Sequence, residues 1–206
     1  KRARRAAQQA HALLARLPDV VALQEVTHRS LPLLLEGLRS GGLIHAEHSL
    51  PRDRPESGAR ALGVVIASRF PLHRQTDALP LPWPEKGLSV MVDMPEAPVE
   101  VNTVHLPPGV SHGWLKIDVF EAIYKALAKP SLGHRVLCGD FNSPQAELET
   151  GEVICSAKRL GKDERWYLPR TRSGGDNERW EMGEWNVLVG LHKHDLHDVF
   201  RGLHGY

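Results

Sequence analysis

Three apolar stretches of this chain end in side chains suited to acid–base or metal chemistry. Asp19-Val20-Val21-Ala22-Leu23-Gln24-Glu25 finishes on Gln-Glu. Val99-Glu100-Val101-Asn102-Thr103-Val104-His105 alternates and then runs into Leu106-Pro107-Pro108-Gly109. His134-Arg135-Val136-Leu137-Cys138-Gly139-Asp140-Phe141-Asn142-Ser143-Pro144 closes on Gly-Asp-Phe-Asn before Ser-Pro turns the chain away. Each motif alone has a plain structural reading: a surface salt bridge for Glu25, a structural histidine for His105, an Asx turn for Asp140 and Asn142. Together, a carboxylate, an imidazole and an Asp/Asn pair would make a site for one hard cation and one phosphate.

The elements that must position these groups are short strands. Apolar runs of this length bounded by turn residues read as buried strands, and in sheet proteins sites gather at strand ends and on the loops beyond them. Residues 3–16 are rich in helix formers, with Ala7, Ala10, Leu14 and Leu17 on one stripe and a solvated basic face at Lys1, Arg2, Arg4 and Arg5. Ser30 is expected to cap a helix running to Arg39 and ended by Gly41-Gly42. Strands are expected at 43–48, 62–68 and 87–94, a polar loop from Pro51 to Arg60, and no regular structure through the prolines at 80, 82 and 84. A helix over 115–128 should bury Ile117, Phe120, Ile123, Tyr124 and Leu127, with Lys116 a solvated lysine or a weak phosphate candidate. From 147 to 183 the signals fade into a long excursion over the rim of the site, in which Trp166, Tyr167 and Trp180, each beside an arginine or close to one, read as apolar pegs ahead of the alternative that they stack bases or a sugar.

Composition narrows the function classes. The 206 residues suit one domain, 1–206, with a sizeable core, and 41% hydrophobic with 25% charged residues is ordinary for a globular chain. A net charge of +1 argues against a strongly basic nucleic-acid binder but leaves room for a nuclease with a local patch. Two cysteines, Cys138 and Cys155, make no disulfide framework, and the default compartment is reducing. Cys138 is a poor nucleophile candidate, being mid-strand with no paired base. No apolar run approaches the roughly 20 residues that span a bilayer. His192, His194 and His197 match no common zinc spacing. Asp195 is instead expected to cap a helix whose Leu196, Val199 and Phe200 face the core, with Asp198 and Arg201 as an ion pair. His45 and His48 are assigned no role.

Gln24-Glu25, the stretch Asn102-Thr103-Val104-His105-Leu106 and Gly139-Asp140-Phe141-Asn142 stand in the order seen in the endonuclease/exonuclease/phosphatase superfamily. Ser68-Arg69-Phe70-Pro71 and Asp195-Leu196 through Arg201 also resemble family segments. The resemblance runs from about residue 18 to the end and looks bacterial. It implies an α/β fold, a four-layer sandwich of two mixed β-sheets flanked by helices, incomplete at both ends because an opening strand and a closing Ser-Asp-His are missing. It further implies Mg²⁺- or Mn²⁺-dependent hydrolysis of a phosphate ester, most of all a phosphodiester. Alternatives on the same fold are a phosphomonoesterase, a sphingomyelinase-like phospholipase, or a catalytically silent binding module. On this reading Glu25 and Asp140 bind the metal and Asp140 also orients or deprotonates the attacking water. Asn142 donates to the phosphate, and His105 binds the phosphoryl oxygen as imidazolium or helps protonate the leaving group. The partner is a phosphate ester, nucleic acid among the candidates, for a monomer placed in the cytoplasm.

Overall fold

The computed structural model describes residues 2–51, 62–131, 133–169 and 176–205, so the polar loop expected from Pro51 to Arg60 falls, apart from Pro51, outside the described residues. The chain forms two compact units. The first comprises Lys1–Leu79, Trp83–His105 and Ser131–Asp140, the second Pro80–Pro82, Leu106–Pro130 and Phe141–Tyr206.

The first unit holds α1 (Arg2–Leu14), β1 (Val20–Val26), α2 (Leu31–Ser40), β2 (His45–His48), β3 (Gly63–Ser68), β4 (Leu72–Arg74), β5 (Gly87–Val92), β6 (Val99–His105) and β7 (His134–Asp140). One antiparallel sheet has the order β1-β3-β2; the other, β4-β5-β6-β7, is mixed, with β6 and β7 parallel. The Gly-Val-Val-Ile-Ala-Ser run of β3 is buried at every position, because it is the central strand and both of its faces are covered. Val64 and Ile66 meet Leu88, Val90, Val92 and Val101 across the two sheets. Each such side chain, fully buried, stabilises the fold by about 1.5–3 kcal/mol relative to exposure. The opposite side chains of β3, Val65 and Ala67, pack with Ala6, Ala10, Leu34 and Leu38 of α1 and α2. The first helix buries Ala10 and half-buries Leu14, as the expected stripe has them, but it buries Ala6 in place of the exposed Ala7, and Leu17 lies beyond the helix end, 77% exposed. Gly37 lets the two helices approach, since a Cβ there would stand 2.6 Å from that of Ala10.

The second unit holds α3 (Gly109–His112), α4 (Leu115–Leu127), the short hairpins β8–β9 (Ala146–Glu147, Val153–Ile154) and β10–β11 (Arg159–Leu160, Trp166–Tyr167), α5 (Asn177–Leu188) and α6 (Val199–His204). Its core is built on Ile117, Phe120, Ile123 and Leu127 of α4, as the helical spacing predicts, though Tyr124 is only half-buried. The expected excursion therefore contains two hairpins and the start of a helix. That helix begins where the Asp176 carboxylate accepts from the Glu178 N–H at 2.8 Å. Trp180 is buried as an apolar peg, whereas Tyr167 is 52% exposed. The last helix departs from expectation. Asp198, not Asp195, caps it, accepting from the Arg201 N–H at 3.0 Å. Asp195 instead takes a left-handed φ of 64° that ends a 3₁₀ turn. Val199 and Phe200 do not face the core; they are 70% and 59% exposed. Among the described residues no helix is long and apolar enough to cross a membrane.

Candidate functional site

Glu25 stands on an irregularity of β1. The ladder with β3 runs regularly from Val20↔Ser68 to Leu23↔Val65 and resumes at Val26↔Gly63, three steps along β1 against two along β3. One extra residue is thus inserted as a β-bulge, which re-aims side chains and ends regular pairing. Glu25 takes a left-handed φ of 57° within it. Such a conformation in a non-glycine residue costs about 1–3 kcal/mol and persists where its surroundings over-determine it. Beside it, the Gln24 amide Nε2 donates to Thr103 Oγ1 of β6 at 3.0 Å, tying the bulge to the second sheet.

The parallel β6/β7 register sets His105 directly opposite Asp140. One residue earlier, Gly139 opposes Val104 with a φ of 142°, and a Cβ there would sit 1.9 Å from the Val104 carbonyl oxygen. Only glycine allows the strands this approach. His105 Nε2 lies 3.8 Å from Glu25 Oε1 and 4.0 Å from Asp140 Oδ2. The imidazole is nearly buried, with a side chain 7% exposed, between carboxylates that are 68% and 51% exposed.

On the far side of the ring is a residue that sequence reasoning missed. Lys86 is buried; its Nζ lies 3.5 Å from His105 Nδ1 and 5.0 Å from the centre of the Trp83 ring. With Lys86 charged, its ammonium donates to Nδ1, which assigns the ring proton to Nε2, facing the carboxylates. Burial, and next the Lys86 charge, push the imidazole below its ordinary range, against the pull of Asp140 and Glu25. Burial likewise lowers Lys86, opposed by Glu25 and Glu85. Both shifts favour the uncharged forms of the two groups, and a neutral ring can still donate from Nε2. The only sequence cue to Lys86 was a lysine at the start of an apolar strand, which is commonplace.

The donor chemistry suits a hard cation. Two accessible carboxylates offer oxygen ligands, and magnesium or manganese needs only one or two of these with water. Among the described residues no group of three or more His, Cys, Asp or Glu is gathered to hold a metal unaided, as structural zinc requires. His194 instead bonds the Tyr124 hydroxyl at 3.0 Å.

Asn142 belongs to the second unit. It too is left-handed, at φ 47°, and its side-chain Nδ2 donates to the Leu106 carbonyl at 2.7 Å. Its own carbonyl accepts from Lys116 Nζ at 2.6 Å. Far from being solvated, Lys116 is 1% exposed. Its Nζ lies 3.6 Å from Glu184 Oε1, a carboxylate that also accepts from the Ser156 N–H at 2.9 Å, the Ser156 hydroxyl, and Trp180 Nε1 at 2.6 Å. Neither thiol fits the role of nucleophile: burial pushes both Cys138 and Cys155 up.

The sequence profile described as the Endonuclease/Exonuclease/phosphatase family matches residues 1–190. Among solved structures, an endonuclease/exonuclease/phosphatase from Beutenbergia cavernae is 25% identical with a TM-score of 0.53, covering 70% of this chain and 44% of that one. A humanized TDP2 from D. rerio, 16% identical, has a TM-score of 0.53 over 77% of this chain and 66% of that one. Beta toxin from Staphylococcus aureus, as a β-hairpin deletion mutant, is 15% identical with a TM-score of 0.50, covering 70% and 62%. The last two carry the fold alone, and the chain spans less than half the length of the Beutenbergia protein. No curated protein matches the sequence. Members of the matched family hydrolyse phosphoester bonds with the help of metal ions, nucleases and phosphatases among them. With the match extending over 190 of 206 residues, the chain belongs to the endonuclease/exonuclease/phosphatase family.

Proposed function

We propose that this protein hydrolyses a phosphate ester, specifically a phosphodiester, with a divalent cation, Mg²⁺ or Mn²⁺. The observation that carries the reading is the approach of His105 Nε2 to both Glu25 and Asp140 at the ends of three strands. Glu25 and Asp140 would hold the cation, which when bound would neutralise charge building on the phosphoryl and leaving oxygens. Asp140 orients the attacking water. Asn142 donates to a phosphoryl oxygen. The Nε2–H of His105, kept in place by Lys86 on Nδ1, donates to a second phosphoryl oxygen or to the leaving oxygen. Membership of a phosphoester-hydrolase family supports the reaction class.

The test is turnover of bis-p-nitrophenyl phosphate and of single-stranded and duplex oligonucleotides, with Mg²⁺, with Mn²⁺ and with EDTA. Hydrolysis that needs the added cation is expected. Turnover that survives EDTA, or no turnover of any diester with either metal, overturns the reading.

A further inference from the structure

Lys116 and Glu184 form a fully buried pair, 1% and 0% exposed. Such pairs are weak stabilisers, since an apolar pair of equal volume often serves as well or better. Their geometry is also lopsided. Glu184 is oriented without the lysine, by the Ser156 N–H, the Ser156 hydroxyl and Trp180 Nε1. The lysine reaches Glu184 only at 3.6 Å, yet places its Nζ 2.6 Å from the Asn142 carbonyl oxygen. Asn142 is held at a left-handed φ of 47°, and its amide is fastened at the other end to the Leu106 carbonyl at 2.7 Å. The buried charge thus stands closer to the main chain of a residue that the proposed reaction uses than to Glu184.

We propose that Lys116, oriented by Glu184, is a positioning residue that fixes the backbone of Asn142 and thereby aims its amide at the phosphate. The cluster is a relay within the second unit, running from the middle of α5, through α4, to Asn142. Phe120 and Phe141, stacked 6.4 Å apart, brace the chain beside it. The inference rests on the proposed role of Asn142 in phosphate hydrolysis.

The test compares Lys116→Met/Glu184→Gln, which removes both charges at similar volume, with Lys116→Arg, which keeps a donor. Two readouts are taken: kcat and KM on bis-p-nitrophenyl phosphate, and the NMR signals and hydrogen exchange of the Asn142 side-chain amide. In the double variant kcat should fall about 10–100-fold, the scale of a misplacement of order 1 Å, with KM within about 3-fold of wild type. The Asn142 amide should shift and exchange faster, and Lys116→Arg should restore part of both. A merely structural pair would lower the melting temperature and leave kcat per folded molecule unchanged; that result, or an unaltered Asn142 amide, overturns the proposal. If the double variant fails to fold, Lys116→Arg with a wild-type Asn142 amide supports the relay, and an amide released despite the retained donor refutes it. A wild-type protein inactive on every phosphate ester would sink the proposed function, while the amide readout still decides whether Lys116 positions Asn142.

Discussion

Replacing Gly139 by alanine should damage the site more than its single methyl suggests. The new Cβ would lie 1.9 Å from the Val104 carbonyl oxygen and 2.8 Å from its carbon and nitrogen, all main-chain atoms that cannot swing away. Ordinary contact begins near 3.4 Å, so β6 and β7 must part by about 1.5 Å (3.4 − 1.9) at this pair. The backbone adds a second term, because a φ of 142° is one that side chains rarely adopt. Strain of this kind costs about 1–3 kcal/mol and overpacking about the same again, about 2–6 kcal/mol in all. For a chain of this size that lowers the melting temperature by about 4–24 °C. The next pair along the ladder is His105↔Asp140, so a separation of this size also displaces the imidazole from its carboxylate and should cost about 100-fold in rate. Gly133→Ala is the control: its Cβ would meet nothing nearer than the Pro98 oxygen at 4.0 Å, and it should melt within about 2 °C of wild type. The assay is thermal melting by circular dichroism beside diester hydrolysis. A Gly139→Ala protein that melts and turns over like the control would show that the strands do not approach as described.

Other outcomes follow from the same geometry. Glu25→Gln should cut metal-dependent hydrolysis by about 100-fold or more while leaving the melt within a few degrees, because its side chain is 68% exposed; equal loss of rate and fold would point to a structural role. His48 titrates below its ordinary value, chiefly because it is buried, with Arg74 and His28 adding to the effect and Glu47 and the Leu50 backbone opposing it. The unfolded chain therefore takes up this proton first as pH falls. His48 contributes stability that is complete above about pH 6.5 and is lost as pH drops through its folded pKa; urea melts of His48→Asn against wild type should converge in acid, and a widening gap would contradict the sign. Cys138 and Cys155, raised by burial, should react with iodoacetamide at pH 7.5 far more slowly in the folded protein than in urea. Equal rates in the two states would mean that neither thiol is shielded.

The three strands and the polar group ending each could be read directly from residue order, since an apolar run broken by one titratable side chain leaves few choices. The bulge could not. Nothing in Ala-Leu-Gln-Glu-Val distinguishes an inserted residue from regular alternation; it appears only when β1 is set against β3. Lys86 and Lys116 were hidden for a different reason. Lysine is solvated so often that sequence assigns it to water, and only tertiary packing shows two of them buried against His105 and Asn142. Glu184 stands one residue past the stretch read as irregular. Its helix mixes Trp180, Gly183, Glu184 and Val187 on the buried side, so that the apolar period is interrupted by a charge and a glycine. Val199 and Phe200 failed the other way, since apolar residues at helical spacing need not face the core of the residues around them.

The bulge in β1 makes the proposed chemistry separable from the fold by the removal of a single residue. Were Gln24 excised, Glu25 would fall opposite Val64, Val26 would remain opposite Gly63, and every pair from Val20 to Leu23 would be untouched. The strand would become continuous and Glu25 would be relieved of its left-handed backbone. Its carboxylate, put back into the alternation, would no longer be delivered to His105. The spare residue is therefore an interruption that the sheet tolerates on behalf of the site. A variant lacking Gln24 should therefore keep the β1–β3 ladder and lose the proposed reaction.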